Sequence, residues 1–463
     1  MQNTPFSQID AVIAAQKKFF ATGATLPIAF RKQQLDRFYK ALKKWDKAIC
    51  DALWTDLHKS YEEAYLTETS IVLSEVREAR SKVGRWSRRE MKMPTMAVLP
   101  SMSYVVKEPL GTTLIVSPWN YPVQLLLCPL VGAIAAGCTA VLKPSPYVPT
   151  VSTVIGEMIA ETFSEEYIAV VQGNREVNAH LFSHPFDLIF YTGSPAVAHT
   201  VMEAAARHLT PVVLELGGKS PCIIDRTANI DVAAKRIAWG KTLNSGQTCI
   251  APDYIIVHRD VKEQFIEAFK RQLVVLHGTD VKESAHYVRM VSDKAFRRVS
   301  SYLEQGRIVC GGTVDAKQRY IEPTLLDDVS PDAPVMQEEI FGPIFPMITF
   351  DDEQTTFAEK VVDFVTSRPK PLAFYYYGKE RTGWQLIRHT SSGGACINDS
   401  IMHIVNTHMP FGGVGNSGMG RYHRRETFEA FSHRRSVLVS PTWIDVPFRY
   451  MPYKLFKFIR HIV

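Results

Sequence analysis

Over residues 5–22, 28–58 and 61–90, apolar side chains recur at three- to four-residue spacing with charges between them. That period predicts an opening layer of amphipathic helices. Residues 93–106 change character, with prolines, methionines and short alternating pieces, as in an arm or hairpin. From Leu110 onward short apolar runs of strand length take over, at 113–117, 140–143, 168–173, 188–192 and 212–216. Helical stretches lie between them at 122–136, 149–163, 174–183 and 195–208. Such alternation predicts a parallel sheet wound with helices, with ligands bound beyond the carboxyl ends of its strands. A second block repeats the scheme, with strands at 221–225, 253–258, 344–350, 372–377 and 394–397. Its helices fall near 230–243, 260–277, 292–305, 353–366 and 380–390. The expected fold class is α/β: a Rossmann-like parallel-sheet domain, a second α/β domain and a small β arm.

Length and composition narrow this picture. A chain of 463 residues exceeds one ordinary core, so two or three domains are expected. The net charge of +6 is modest, and no dense Lys/Arg run with interleaved aromatics occurs, so nucleic acid is not an expected partner. Phosphate-bearing cofactors and acidic substrates remain compatible with that charge. The seven cysteines (50, 128, 138, 222, 249, 310, 396) are scattered, with no C-x-x-C pair. The N-terminus, MQNTPFSQID, lacks a charged-then-apolar leader, and a reducing cytoplasm is the natural location. Residues 125–142 form an 18-residue uncharged run that imitates a membrane span. Pro129, Gly132 and Gly137 interrupt it, so it reads as a buried helix followed by a strand, and no transmembrane segment is expected.

The candidate chemistry centres on Asn244-Ser-Gly-Gln-Thr-Cys-Ile-Ala-Pro-Asp253, which sets Cys249 after a glycine-containing turn and before a strand. A thiol at the mouth of such a turn is reachable by a small molecule, and as thiolate it is a strong nucleophile. Glu215 lies within the otherwise apolar Val212-Val-Leu-Glu-Leu216, where desolvation raises a carboxyl's pKa toward the range of a general base. Asn120, in Pro118-Trp-Asn-Tyr-Pro122, suits either of two tasks: capping the next helix or donating an amide N–H to a developing oxyanion. Thiol, carboxylate and amide at the turn-like ends of three segments can serve as nucleophile, base and oxyanion donor. Cys128, Cys138, Cys222 and Cys396 lie in apolar strand or helix surroundings and read as core residues.

The motifs GQTC, LELGGKSP, SPWNYP and Glu338-Glu-Ile-Phe-Gly-Pro343 together resemble the aldehyde dehydrogenase superfamily. Pro410-Phe-Gly-Gly-Val-Gly-Asn-Ser-Gly-Met-Gly420, followed by Phe431-Ser-His-Arg-Arg435, resembles its class 3 branch of fatty and aromatic aldehyde dehydrogenases. The resemblance runs from about residue 5 to about 440. It implies attack of Cys249 on an aldehyde, hydride loss to a nicotinamide, and hydrolysis of a thioester by water activated at Glu215. It decides Asn120 for the oxyanion site, with the Cys249 backbone N–H.

For the cofactor, the resemblance implies a ribose-binding lysine at Lys143 and a pyrophosphate site at Gly193-Ser194, where a helix opens. It further implies a nicotinamide-ribose acid at Glu339 with the aromatic Phe341 packed beside it. Two positions depart from the pattern: Ala198 replaces a second glycine, and Pro146 replaces the acid three residues after the lysine. Without that acid, NADP is expected to be accepted at least comparably with NAD. Gly413-Val-Gly-Asn-Ser-Gly418 satisfies G-x-G-x-x-G but follows no clear strand, and reads as a backbone loop near the active-site seam. His403, His408 and His423 lack metal-ligand spacing, and no metal is expected.

The implied organisation is a NAD(P)-binding domain over 1–90 and 109–215, a catalytic domain over 216–422, and an oligomerisation arm over 91–108 and 423–442. The arm implies a homodimer. The tail, 443–463, is basic and aromatic, and its last stretch, 453–463, suits a short amphipathic helix over the substrate entrance or in weak contact with a membrane surface. Two other functions stay open: a coenzyme A-acylating relative, which needs no base at Glu215, and a catalytically silent relative that only binds ligands.

Overall fold

The computed structural model describes residues 2–445 and 449–453. The expected tail helix over 453–463 lies almost wholly outside them. The opening helices form as the period requires, at Phe6–Ala21, Ile28–Leu57 and Ser70–Trp86. Phe6–Ala21 buries Ile9, Val12, Ile13 and Gln16, one stripe at i, i+3, i+4 and i+7. Between the short helix Tyr61–Ala64 and Ser70–Trp86 the chain widens into a π-type turn, Tyr65–Thr69. This turn directs Glu68 and Thr69 inward, an orientation that no α-helical pattern announces.

Two sheets follow, as the alternation predicts. The first has six strands in the order Gly418–Met419, Val212–Leu216, Leu188–Gly193, Thr112–Val116, Thr139–Lys143, Ile168–Val170. The last five are parallel, in the doubly wound arrangement that opens a ligand crevice where strand order reverses. Gly418–Met419 pairs antiparallel with Val212–Leu216, which sets Gly418 beside Glu215. The G-x-G-x-x-G run is thus a loop ending in a sheet-edge strand, with no strand, turn and helix in succession. Ile168–Val170 is shorter than expected because Gln172 instead bonds the N-terminal segment through Thr4.

The second sheet has seven strands, with Ile344–Phe350, Tyr254–His258 and Pro221–Ile224 at its centre. Two of its strands, Arg307–Cys310 and Thr324–Asp327, were absent from the sequence expectation. The first is half-exposed with no alternation, and each is only four residues long, so periodicity carries little signal there. The apolar run 125–142 becomes the helix Gln124–Ala136, buried at every position, and the strand Thr139–Lys143. No helix among the described residues is long and apolar enough to cross a membrane. Glu90–Lys92, Met102–Pro109 and Ser432–Val439 form a separate three-stranded antiparallel sheet, the expected arm.

Candidate active site

After the helix Ile230–Thr242 the backbone turns through three successive left-handed residues, Asn244 (φ 50°), Ser245 (φ 53°) and Gly246 (φ 71°). Two of them carry side chains, so this conformation persists only when its surroundings hold it. Asn244 Nδ2 donates to the carbonyls of Asn120 and Gln247, both at 3.0 Å, and the Asn244 N–H donates to Glu63 at 3.0 Å. At Gly246 a Cβ would collide with the Gly342 carbonyl, so the turn can nest against that loop only without a side chain. Gln247, fully buried, donates to the Asn244 and Arg289 carbonyls and accepts from the Val291 N–H, each at 3.1 Å. This framework presents Cys249 at the end of the turn, partly accessible.

Asn120 is fastened to the same turn. Its side-chain amide donates to the Gln247 carbonyl at 3.0 Å, leaving a second N–H, and its own carbonyl accepts from Lys59 at 3.2 Å. It caps no helix: Glu68 instead accepts the first N–H groups of the next helix, from Val123 (3.0 Å) and Gln124 (2.9 Å). Lys59 and Glu68, both buried, pair at 2.9 Å, and the Lys59 ammonium lies 4.2 Å from the centre of the Tyr121 ring. Sequence reasoning missed this pair, because charges in an amphipathic layer read as solvent-facing. Tyr121 and Trp239 are buried and half-buried, whereas Tyr61, at 51% exposure, bonds Asp46 at the surface.

Glu215 is 3% exposed, and neither carboxylate oxygen has a hydrogen-bond partner among the described residues. Burial pushes its pKa well above the ordinary carboxylate range. Glu339 lies against the turn that follows the Glu215 strand: a Cβ at Gly217 would collide with its carboxylate, and the Gly218 N–H donates to it. Burial, aided by Asp253, pushes Glu339 up to about 8. The Cys249 thiol is raised as well, first by burial and then by the charges of Glu339 and Glu215, while the N–H groups of Cys249 and Ile250 oppose the shift. Both carboxylates therefore bear on the sulfur. Phe341 (φ 50°) meets Trp119 edge-on at 5.3 Å. The Glu338–Phe341 loop is clamped by residues the motif reading passed over. Lys219 donates to Asp253 (2.5 Å) and to the carbonyls of Val335 and Glu338, and Asp253 accepts from the Ile340 N–H at 2.9 Å.

A dinucleotide fits the carboxyl edge of the six-stranded sheet. Lys143, 1% exposed, bonds only the Pro144 carbonyl (2.8 Å) among the described residues, and burial pulls its ammonium down to about 8. Ser117 Oγ and Thr192 Oγ1, just past or at the ends of neighbouring strands, are buried without partners among the described residues. Gly193 precedes Ser194, the N-cap of the helix Pro195–Ala206, whose first N–H groups receive no side-chain cap. A lysine, two hydroxyls and a free helix N-terminus are the donor set a ribose and a pyrophosphate require. Pro146 is exposed beside them. His403 instead bonds Cys396 (3.3 Å), and His423 faces Glu75 (3.5 Å).

The fold and this arrangement define an oxidoreductase of the dinucleotide-binding, cysteine-bearing kind. The chain belongs to the aldehyde dehydrogenase family, whose sequence model matches residues 1–437. It is 45% identical over 448 residues, 96% of each chain, to the 4,4′-diaponeurosporen-aldehyde dehydrogenase of Staphylococcus aureus. It is 41% identical over 458 residues, 98% of this chain and 100% of the relative, to the dimeric NADP-preferring aldehyde dehydrogenase of Canis lupus familiaris. A substrate-bound structure of Staphylococcus aureus AldH superimposes with a TM-score of 0.95 at 44% identity, covering 98% of this chain and 99% of that one. The protein is accordingly an NAD(P)-dependent enzyme that oxidises aldehydes to carboxylic acids.

Proposed function

We propose that Cys249 is the nucleophile, Asn120 the oxyanion donor and Glu215 the base of this oxidation. The observation that carries the assignment is the buried Glu215 carboxylate, unpartnered among the described residues, whose charge bears on the Cys249 thiol. The Cys249 thiol loses its proton to solvent and adds as thiolate to the aldehyde carbon, and the resulting alkoxide is received by the free Asn120 N–H and the Cys249 backbone N–H. Bound NAD(P) supplies the hydride acceptor, held by Lys143, Gly193 and Ser194 at the sheet edge and by Glu339 and Phe341 at the seam. The acyl group then remains on Cys249 as a thioester. Glu215 takes a proton from water, the hydroxyl adds to the acyl carbon, and the acid leaves as the thiol is restored. A base left unpartnered beside the sulfur favours water over a second thiol as acyl acceptor.

Burst kinetics test the assignment. Cys249→Ala should abolish both the burst and the turnover, whereas Glu215→Gln should keep a burst of reduced cofactor and lose turnover. Equal bursts in the two variants overturn it.

Exposed Pro146 beside Lys143 supports acceptance of NADP at least comparably with NAD, in keeping with the NADP-preferring relative. The division we adopt is a NAD(P)-binding domain over 1–90 and 109–215, a catalytic domain over 216–422, and an arm over 91–108 and 423–442. Met91, Met93, Met96, Leu438 and Val439 lie exposed on or beside that arm and support a homodimer, as in the dimeric relative. Light scattering should return about twice the 52.2 kDa chain mass. Seven unpaired cysteines fit a reducing cytoplasm.

A further inference from the structure

The helices Phe6–Ala21 and Arg175–Phe182 touch on the outer layer of the six-stranded sheet, and three ligand-type side chains meet where they do. Hydrogen bonds of helical type continue past Phe182, from Ser183 N–H to Ala179 and from His184 N–H to Leu181. His180 and His184 are therefore one turn apart and project to the same side. Their Nε2 atoms are 3.4 Å apart. Asp10 Oδ1, from the N-terminal helix, lies 2.7 Å from His180 Nε2 and 3.0 Å from His184 Nε2. Phe6 stacks on the His180 ring at 4.2 Å and fixes its plane.

We propose that Asp10, His180 and His184 form a binding site for a divalent transition-metal ion of the zinc class, which clasps the N-terminal helix to the six-stranded sheet's helical layer. Bonds of about 2.0–2.1 Å in tetrahedral geometry separate ligand atoms by roughly 3.3–3.4 Å. The two histidine nitrogens already stand at that spacing. The two contacts to Asp10 need to open by a few tenths of an ångström, and that carboxylate side chain is 53% exposed and has room to move. The exposed side of the cluster leaves room for water in the fourth position. Two imidazoles and one carboxylate, with no sulfur, suit zinc, nickel, cobalt or copper better than magnesium or calcium. Lys17 opposes the site, since its charge disfavours a cation at His184, and Asp10 offsets it. A bound ion would join positions about 170 residues apart and stabilise the folded chain by mass action.

The test uses the untagged full chain, stripped with a chelator and titrated with zinc and then with cobalt. Zinc should raise Tm, and cobalt should give visible d–d bands without the sulfur charge-transfer band that binding at Cys249 would add. Asp10→Asn, His180→Asn and His184→Asn should each weaken both responses by at least about tenfold, each measured against that variant's own metal-free Tm, while metal-free activity stays unchanged. Three results overturn the proposal: no d–d bands in the wild type, a sulfur band alone, or responses identical in the wild type and a His180→Asn/His184→Asn double variant.

Discussion

Gln247 stands two residues before Cys249, and Glu215 is a carboxylate whose charge bears on that thiol; both are buried, in opposite surroundings. Gln247 spends its amide on three hydrogen bonds, to Asn244, Arg289 and Val291. Glu215 makes none among the described residues. An unmade hydrogen bond in the interior costs about 1–3 kcal/mol, and a buried charge costs more. The difference separates two kinds of polar group in one site. Satisfied ones, such as Gln247 and Lys59, hold the backbone in a conformation it would otherwise leave. Unsatisfied ones, at Glu215, Ser117 and Thr192, cluster where a water, a substrate or a dinucleotide would complete them.

The contrast is sharpened most by Glu215→Gln, which should lower kcat by about 10²–10⁴-fold without weakening the fold. A carboxyl with a raised folded-state pKa stabilises the fold when protonated and loses that contribution as pH rises through the raised value. The variant should therefore be as stable as the wild type near about pH 4 and more stable near about pH 8, as thermal melts across pH will read. Wild-type turnover should rise with pH through the same range, and the variant's should not.

Gln247→Ala should do the reverse, costing about 2–4 kcal/mol in urea unfolding, because two carbonyls and one N–H lose their partner in a fully buried position. Unchanged stability would dissolve the distinction between the two groups.

The smallest effect belongs to the cofactor edge. Pro146→Glu should shift the ratio of kcat/KM from NADP toward NAD by about tenfold, the equivalent of about 1.4 kcal/mol of charge repulsion. A wild type that already rejects NADP, with no shift in the variant, would return the 2′-phosphate question to another loop.

The sequence made most strands and most helices of both sheets legible, because short apolar runs alternating with helical periods have few other readings. It also brought forward Cys249, Glu215 and Asn120, each an unusual residue in a turn or an apolar strand. The groups that hold them stayed hidden. Lys59 and Glu68 sit in a stretch whose helical period places charges outside, and only the π-type turn brings the carboxylate in. Lys219 and Asp253 stood inside recognised motifs, yet their shared task of clamping the Glu338–Phe341 loop depends on three segments meeting. The histidine pair at 180 and 184 was passed over in the sequence, because Asp10 joins it from about 170 residues away. Local pattern reports what a segment is, and not what it will lie against.

The antiparallel strand Gly418–Met419 closes the flank of Val212–Leu216. During synthesis that closure arrives late: about 200 further residues must emerge before the flank can be covered. At roughly 5–20 residues per second, the apolar Val-Val-Leu-Glu-Leu edge stands open on the ribosome for roughly 10–40 s. An open edge of that composition is a template for pairing with another nascent chain. The segment that covers the flank of Glu215 thus also ends an interval in which that edge is open to aggregation, and cells making this protein quickly should rely on chaperones until residue 419 has emerged.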